Sequence, residues 1–144
     1  MRARGFTLIE LLVALTIFAI ISAIAIPLYT QYSERGYRTE VMGDLMTCAQ
    51  GLERFNAMNF TYVGANGGDD TALNADICNP ESVRQGRYAI TSVVGVNTFD
   101  LTAVPAGPMD GTGNLTLDES GQRTWDEDND GDVAEAQDRD WEEG

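Results

Sequence analysis

Between Glu10 and Glu34 the chain carries no charged side chain, from Leu11-Leu12-Val13-Ala14-Leu15 at one end to Gln31-Tyr32-Ser33 at the other. Such a run needs a bilayer or a protein core around it. At about 1.5 Å of rise per residue, about 20 apolar residues in a helix cross a hydrocarbon layer about 30 Å thick. Leu11 to Tyr29 meets that length, so a membrane-spanning helix is the primary expectation.

Glu10 stands at the mouth of this run, five residues after Gly5. A carboxylate there is costly unless something pairs with it. A secretory signal does not explain the segment. Its basic part is only Met1-Arg2-Ala3-Arg4-Gly5, and no small-x-small cleavage site closes the apolar run.

Gly5-Phe6-Thr7-Leu8-Ile9-Glu10, followed by the apolar helix and Pro27, strongly resembles the N-terminus of type IV prepilins, most closely the minor pilins of the PilE kind. The resemblance is close over residues 1–34 and extends to the remainder in outline. It implies that a dedicated prepilin peptidase cuts between Gly5 and Phe6, that Phe6 is N-methylated, and that the helix packs into a filament core. Gly5 suits the cut because no Cβ obstructs approach to the scissile bond. In the filament the Glu10 carboxylate of one subunit meets the Phe6 ammonium of a neighbour. That pairing relieves two costly charges and works at one axial register. The plainer alternative is a helix-end carboxylate that reaches the headgroups or favours the positive end of the helix dipole.

The same resemblance implies a leader over 1–5, a membrane and filament-core helix over 6–33, and a periplasmic globular domain over 34–144. Its implied partners are other pilin subunits, the prepilin peptidase, an inner-membrane assembly platform, and the membrane before assembly. It implies a structural protein and no enzyme.

The formal charge of −14 becomes −16 once Arg2 and Arg4 are removed, leaving seven basic residues against 23 acidic ones. Such a surface repels nucleic acid phosphates, so direct nucleic acid binding by this subunit is not expected. Every basic residue is Arg; without His or Lys, the usual general base is missing. The positive-inside tendency puts Met1 in the cytoplasm and Gly144 outside the inner membrane, with the extracellular pilus as destination.

Beyond the membrane run, Tyr37, Val41, Leu45, Cys48, Leu52 and Phe55 recur at a mean spacing of about 3.6 residues, the mark of an amphipathic helix. One helix from about Phe6 to Phe55 would be roughly 75 Å long. Pro27 should kink it, having no N–H and a ring that clashes with the preceding turn. Residues 59–86 read as a connecting loop with strong turn chemistry. Three strands follow at Tyr88–Val94, Asn97–Val104 and Asn114–Asp118, with a short fourth at Gln122–Trp125 after the Ser120-Gly121 turn. A long helix laying an apolar stripe on a small antiparallel sheet of three to four strands is an α+β layer arrangement, which is also the pilin fold.

Cys48 and Cys78 are too far apart for a redox or zinc motif. In an oxidising periplasm they can pair, tying the loop to the helix with roughly 3–4 kcal/mol of unfolded-state constraint; the alternative is two unpaired buried thiols. Many pilins carry their disulfide nearer the C-terminus, and no cysteine follows Cys78.

Asp126, Asp128 and Asp130 at alternate positions, then Gly131 and Asp132, resemble the start of an EF-hand-type calcium loop. The twelfth position holds Gln137 where a bidentate Glu belongs, and a solvated acidic tail is the alternative. Calcium is the one cofactor expected.

These features favour a minor pilin of a type IV pilus. A pseudopilin of a type II secretion system shares the same N-terminal logic. From another class comes a membrane-anchored, calcium-responsive adhesin that does not polymerise, for which neither Glu10 nor a leader ending in Gly is needed.

Overall fold

The computed structural model describes residues 6–66, 72–131 and 141. Gly5, Asp132 and Gln137 lie outside the described residues. The chain divides into two compact units, Met1–Arg35 and Gly36–Gly144. A single helix, α1 (Leu8–Asn59), contributes to both, and is followed by α2 (Glu81–Arg84), β1 (Tyr88–Val94), β2 (Phe99–Pro105), a 3₁₀ turn (Gly107–Met109), β3 (Leu115–Asp118) and β4 (Arg123–Trp125).

In the first unit the helix is apolar on all its faces, and its most apolar window is unburied. By length and composition it suffices to cross a membrane. Its threonines fit that setting. The Thr16 and Thr30 hydroxyls donate to the Leu12 and Ile26 carbonyls one turn back, so neither needs water. Pro27 lies inside the helix, which is assigned without a break across it.

In the second unit the expected stripe is the core. Val41, Leu45, Cys48 and Leu52 are 0% exposed, and Tyr37 and Phe55 are half-buried at the margins. The same cluster includes Tyr88, Phe99, Leu101, Ala103, Leu115, Leu117 and Trp125 from the sheet. Helix α1 runs four residues beyond Phe55. It ends where Phe60 takes a left-handed conformation (φ 59°) and its N–H bonds the Asn56 carbonyl, one of the open C-terminal acceptors, while the Asn59 side chain donates to the Phe55 carbonyl.

The sheet is antiparallel throughout, in the order β1-β2-β3-β4. Leu101 pairs with Leu117 and Leu115 with Trp125, so alternate side chains of neighbouring strands meet on the helix side. The other face carries a row of threonines, Thr91, Thr102, Thr116 and Thr124, in register across all four strands. The hydroxyls of Thr116 and Thr124 are hydrogen-bonded to each other, a stabilising cross-strand pair.

Strand β2 starts at Phe99, two residues later than the expected Asn97, because Gly95 N–H bonds the Thr98 carbonyl and closes the hairpin first. Strands β3 and β4 each start one residue late, at Leu115 and Arg123. Residues 59–86 are not wholly irregular, since α2 lies among them. Its local sequence, Glu81-Ser82-Val83-Arg84, has no apolar period to announce a helix. What stabilises it comes from elsewhere: Asp44 Oδ2 on α1 accepts the Ser82 N–H at 3.0 Å.

Two glycines mark close backbone approaches. A Cβ on Gly51 would collide with the Ile77 carbonyl, which is what lets the loop carrying Cys78 lie directly on α1. Gly113, at φ 84°, would collide with the Asp126 carbonyl.

Candidate functional site

Phe6 is 90% exposed and precedes the first turn of α1. Thr7 caps that turn. Its backbone N–H and its hydroxyl both donate to Glu10 Oε2, at 3.0 and 2.9 Å, and Glu10 N–H returns a bond to the Thr7 hydroxyl at 3.3 Å. This reciprocal arrangement is a capping box: it satisfies donors that a helix start leaves open and places a carboxylate at the positive end of the dipole. Within a single chain, then, Glu10 takes the helix-end role given above as its plainer alternative. The Thr-x-x-Glu spacing is the local sequence signal for it. That state leaves Glu10 exposed for a neighbour to compete for.

Cys48 and Cys78 are joined as a disulfide, with their Cα atoms 4.8 Å apart. Cys48 occupies the buried stripe, so the bond fastens the loop to the core side of α1.

Asp126, Asp128 and Asp130 bring carboxylate oxygens within 4.8 Å of one another. Asp126 is 0% exposed, and its two oxygens accept the N–H groups of Asp130 and Gly131, each at 3.1 Å. The carboxylate thereby shapes the turn, in which Asn129 and Gly131 both have positive φ. Two oxygens coordinated to one calcium at about 2.3–2.6 Å lie at most about 5 Å apart, so this trio fits a shared cation.

Four arginines have partners within the domain itself. The Arg38 guanidinium carbon lies 3.6 Å from the centre of the Trp125 ring, Arg87 lies 4.4 Å from that of Tyr37 and pairs with Glu40, and Arg84 pairs with Glu81. Arg123 faces Trp141, whose indole N–H donates to the Thr124 carbonyl at 3.0 Å. Apart from Glu81 and Arg84, three residues apart on one helix, these contacts have no local sequence signature.

On the threonine face, Asp100 stands directly opposite Asp118 in the β2–β3 register. Burial, then the negative charges of Glu119 and Asp118, push the Asp100 carboxyl up. Burial also opposes ionisation of Asp118, yet bonds from the Ser120 hydroxyl and the Gln122, Ser120 and Gly121 N–H groups hold it below its ordinary range.

Residues 27–116 match the family described as "Type IV minor pilin ComP, DNA uptake sequence receptor", and residues 1–26 match the prokaryotic N-terminal methylation motif. The chain belongs to the type IV pilin family. Among relatives of this pilin, a fimbrial protein of Dichelobacter nodosus is 32% identical over 108 residues, covering 75% of this chain and 62% of the relative. The chain thus spans less than two thirds of that relative's length. "Type II secretion system core protein G" of Pseudomonas aeruginosa is 29% identical over 54% of each chain. "Prepilin peptidase-dependent protein D" of Escherichia coli is 28% identical, covering 72% of this pilin and 73% of the relative. No solved structure matches it significantly. The methylation motif spans Gly5, Phe6 and Glu10, the residues that carry the prepilin resemblance.

Proposed function

We propose that this pilin is a minor subunit of a type IV pilus, matured by cleavage between Gly5 and Phe6 and docked through Glu10. The observation that carries the reading is the exposed Glu10 carboxylate at the head of a helix whose first half is exposed and apolar. A mature Phe6 ammonium on a neighbouring subunit is a stronger partner for Glu10 than the Thr7 hydroxyl, because both charges are then compensated away from water. The prepilin peptidase, the assembly platform and the inner membrane are its partners before assembly. The domain after residue 34 faces the periplasm and then the cell exterior. It does structural work and no catalysis. Intact mass and N-terminal analysis of the membrane-extracted chain test the maturation. A chain that still begins at Met1, in cells with an active prepilin peptidase, overturns the reading.

The similarity to the secretion-system core protein favours a second reading, a pseudopilin of a type II secretion system. Presence of the chain in sheared surface pili, and its absence from secretion pseudopili, separates the two. Receptor activity for DNA, named in the family description, is not assigned to this subunit. Its −14 charge opposes phosphate, and most of its described arginines lie against aromatic rings or carboxylates of the same domain.

Calcium belongs to the proposal as a weak structural ligand of Asp126, Asp128 and Asp130, with Asp132 and Gln137 as the further ligands the sequence offers. Affinity belongs at the extracellular end of the range, roughly 10⁻⁴–10⁻³ M. Calorimetric titration of the full chain, with Asp128→Ala as control, tests it. Equal heats for both proteins return this segment to a solvated acidic turn.

A further inference from the structure

The two bonded cysteines form part of the wall of an open recess of about 170 Å³, together with Asp44, Thr47, Asn79 and Arg84. Several waters, at about 30 Å³ each, fill such a volume, and its polar and charged lining holds them beside the bond. The two cysteines differ in access. Cys48 is 0% exposed on the buried stripe of α1, whereas Cys78 keeps 8% in the loop. Thiol–disulfide exchange requires a thiolate to reach one sulfur, so access selects Cys78 as the sulfur attacked and Cys48 as the one expelled.

What the bond holds is local. Across Asn74–Asn79 only Ile77 and Cys78 are withdrawn from solvent, and their N–H groups bond the Asn74 carbonyl of the same stretch. The disulfide and the close approach of the Ile77 carbonyl to Gly51 seat this stretch on α1. The chain on either side has anchors of its own. Tyr62 donates its hydroxyl to Glu53 at 2.9 Å and sets its ring 5.1 Å from that of Phe99, while Asp44 accepts the Ser82 N–H. Loss of the bond therefore releases a short stretch and leaves both flanks and the sheet in place.

We propose that the Cys48–Cys78 bond is a reversible clasp, opened in the folded domain by a dithiol that attacks Cys78. The attacking thiolate forms a mixed disulfide with Cys78 and expels Cys48 as a thiolate; the second thiol of the dithiol then displaces Cys78. Two electrons pass from the dithiol to the pilin bond, the dithiol becomes a disulfide, and its two protons end on Cys48 and Cys78. The same exchange run backwards closes the clasp. Opening lifts Ile77 from the face of α1 that carries Gly51 and Phe55, so redox state sets how much of that face the loop covers.

The test uses the full-length chain in detergent, with dithiothreitol as the dithiol. Below the urea unfolding transition, the rate of reduction, read by quenched thiol labelling, should rise in proportion to dithiothreitol. It should change with urea by no more than about twofold, as expected of a bond reached without global opening. The reduced chain should keep its native tryptophan fluorescence and unfold cooperatively at a lower temperature. Reduction should speed hydrogen exchange at the Ile77 and Cys78 amides more than at Leu101. With the monothiol cysteamine and an acid quench, peptide mapping should find the adduct on Cys78. A rate that climbs with urea as global unfolding does, an adduct on Cys48, or a reduced chain without cooperative unfolding each overturns the proposal.

Discussion

Asp44 accepts the backbone N–H of Ser82 at 3.0 Å, joining residues 38 apart in the chain. One carboxylate on the long helix therefore caps the four-residue helix that leads into the sheet. Asp44→Ala should destabilise the domain by about 1 kcal/mol, the usual cost of a lost cap, and Asp44→Asn by less. Urea unfolding of the full chain in detergent measures both, and an alanine variant as stable as the parent would show that α2 forms without this contact.

Glu10→Ala should leave the domain folded while lowering the amount of this subunit in sheared filaments. The substitution also removes the carboxylate half of the capping box with Thr7. Glu10→Gln separates the two roles, since its amide oxygen still accepts from Thr7 but carries no charge for the Phe6 ammonium. Loss of incorporation in both variants supports pairing of charge; loss in Ala alone assigns the effect to the cap.

Reduction of the Cys48–Cys78 bond should lower stability by roughly 3–4 kcal/mol, the constraint expected for a loop of this length. Thiol labelling of denatured, unreduced protein should find no reactive cysteine. Two reactive thiols per chain contradict the bond.

Asp100 and Asp118 shift in opposite directions, and their pH effects differ in sign. The Asp118 carboxyl is held low, so its contribution is present above its unfolded pKa and is lost as pH falls through the folded one. Asp118→Asn should therefore blunt acid destabilisation. Asp100 is pushed up, so the fold favours its protonated form, and stability falls as pH rises from the unfolded pKa through the folded one. Asp100→Asn should raise Tm at neutral pH and lose that advantage in acid. Thermal scans across the acidic range check both, and matching pH profiles for the two variants contradict the assignment.

Much of this pilin was legible along the chain because it depends on local period. The uncharged run after Glu10 dictates an apolar helix, the 3.6-residue stripe from Tyr37 to Phe55 marks its buried face, and strict alternation at Phe99, Leu101 and Ala103 marks the inner side of a strand. The Gly5-Phe6 and Glu10 motif pointed to the family. What only the tertiary structure decided are contacts between residues remote in sequence: Asp44 with Ser82, Glu40 with Arg87, Arg38 with Trp125. The burial of Asp126 was also decided by the fold. By composition it reads as one more member of an acidic tail, yet it is buried and organises a turn. Backbone propensity and apolar period act over a few neighbouring residues and so leave a pattern in the sequence. A charge or a cap satisfied across the fold, as at Glu40 and Asp44, takes whichever group the finished fold brings within about 3 Å, and that choice leaves no mark beside it in the chain.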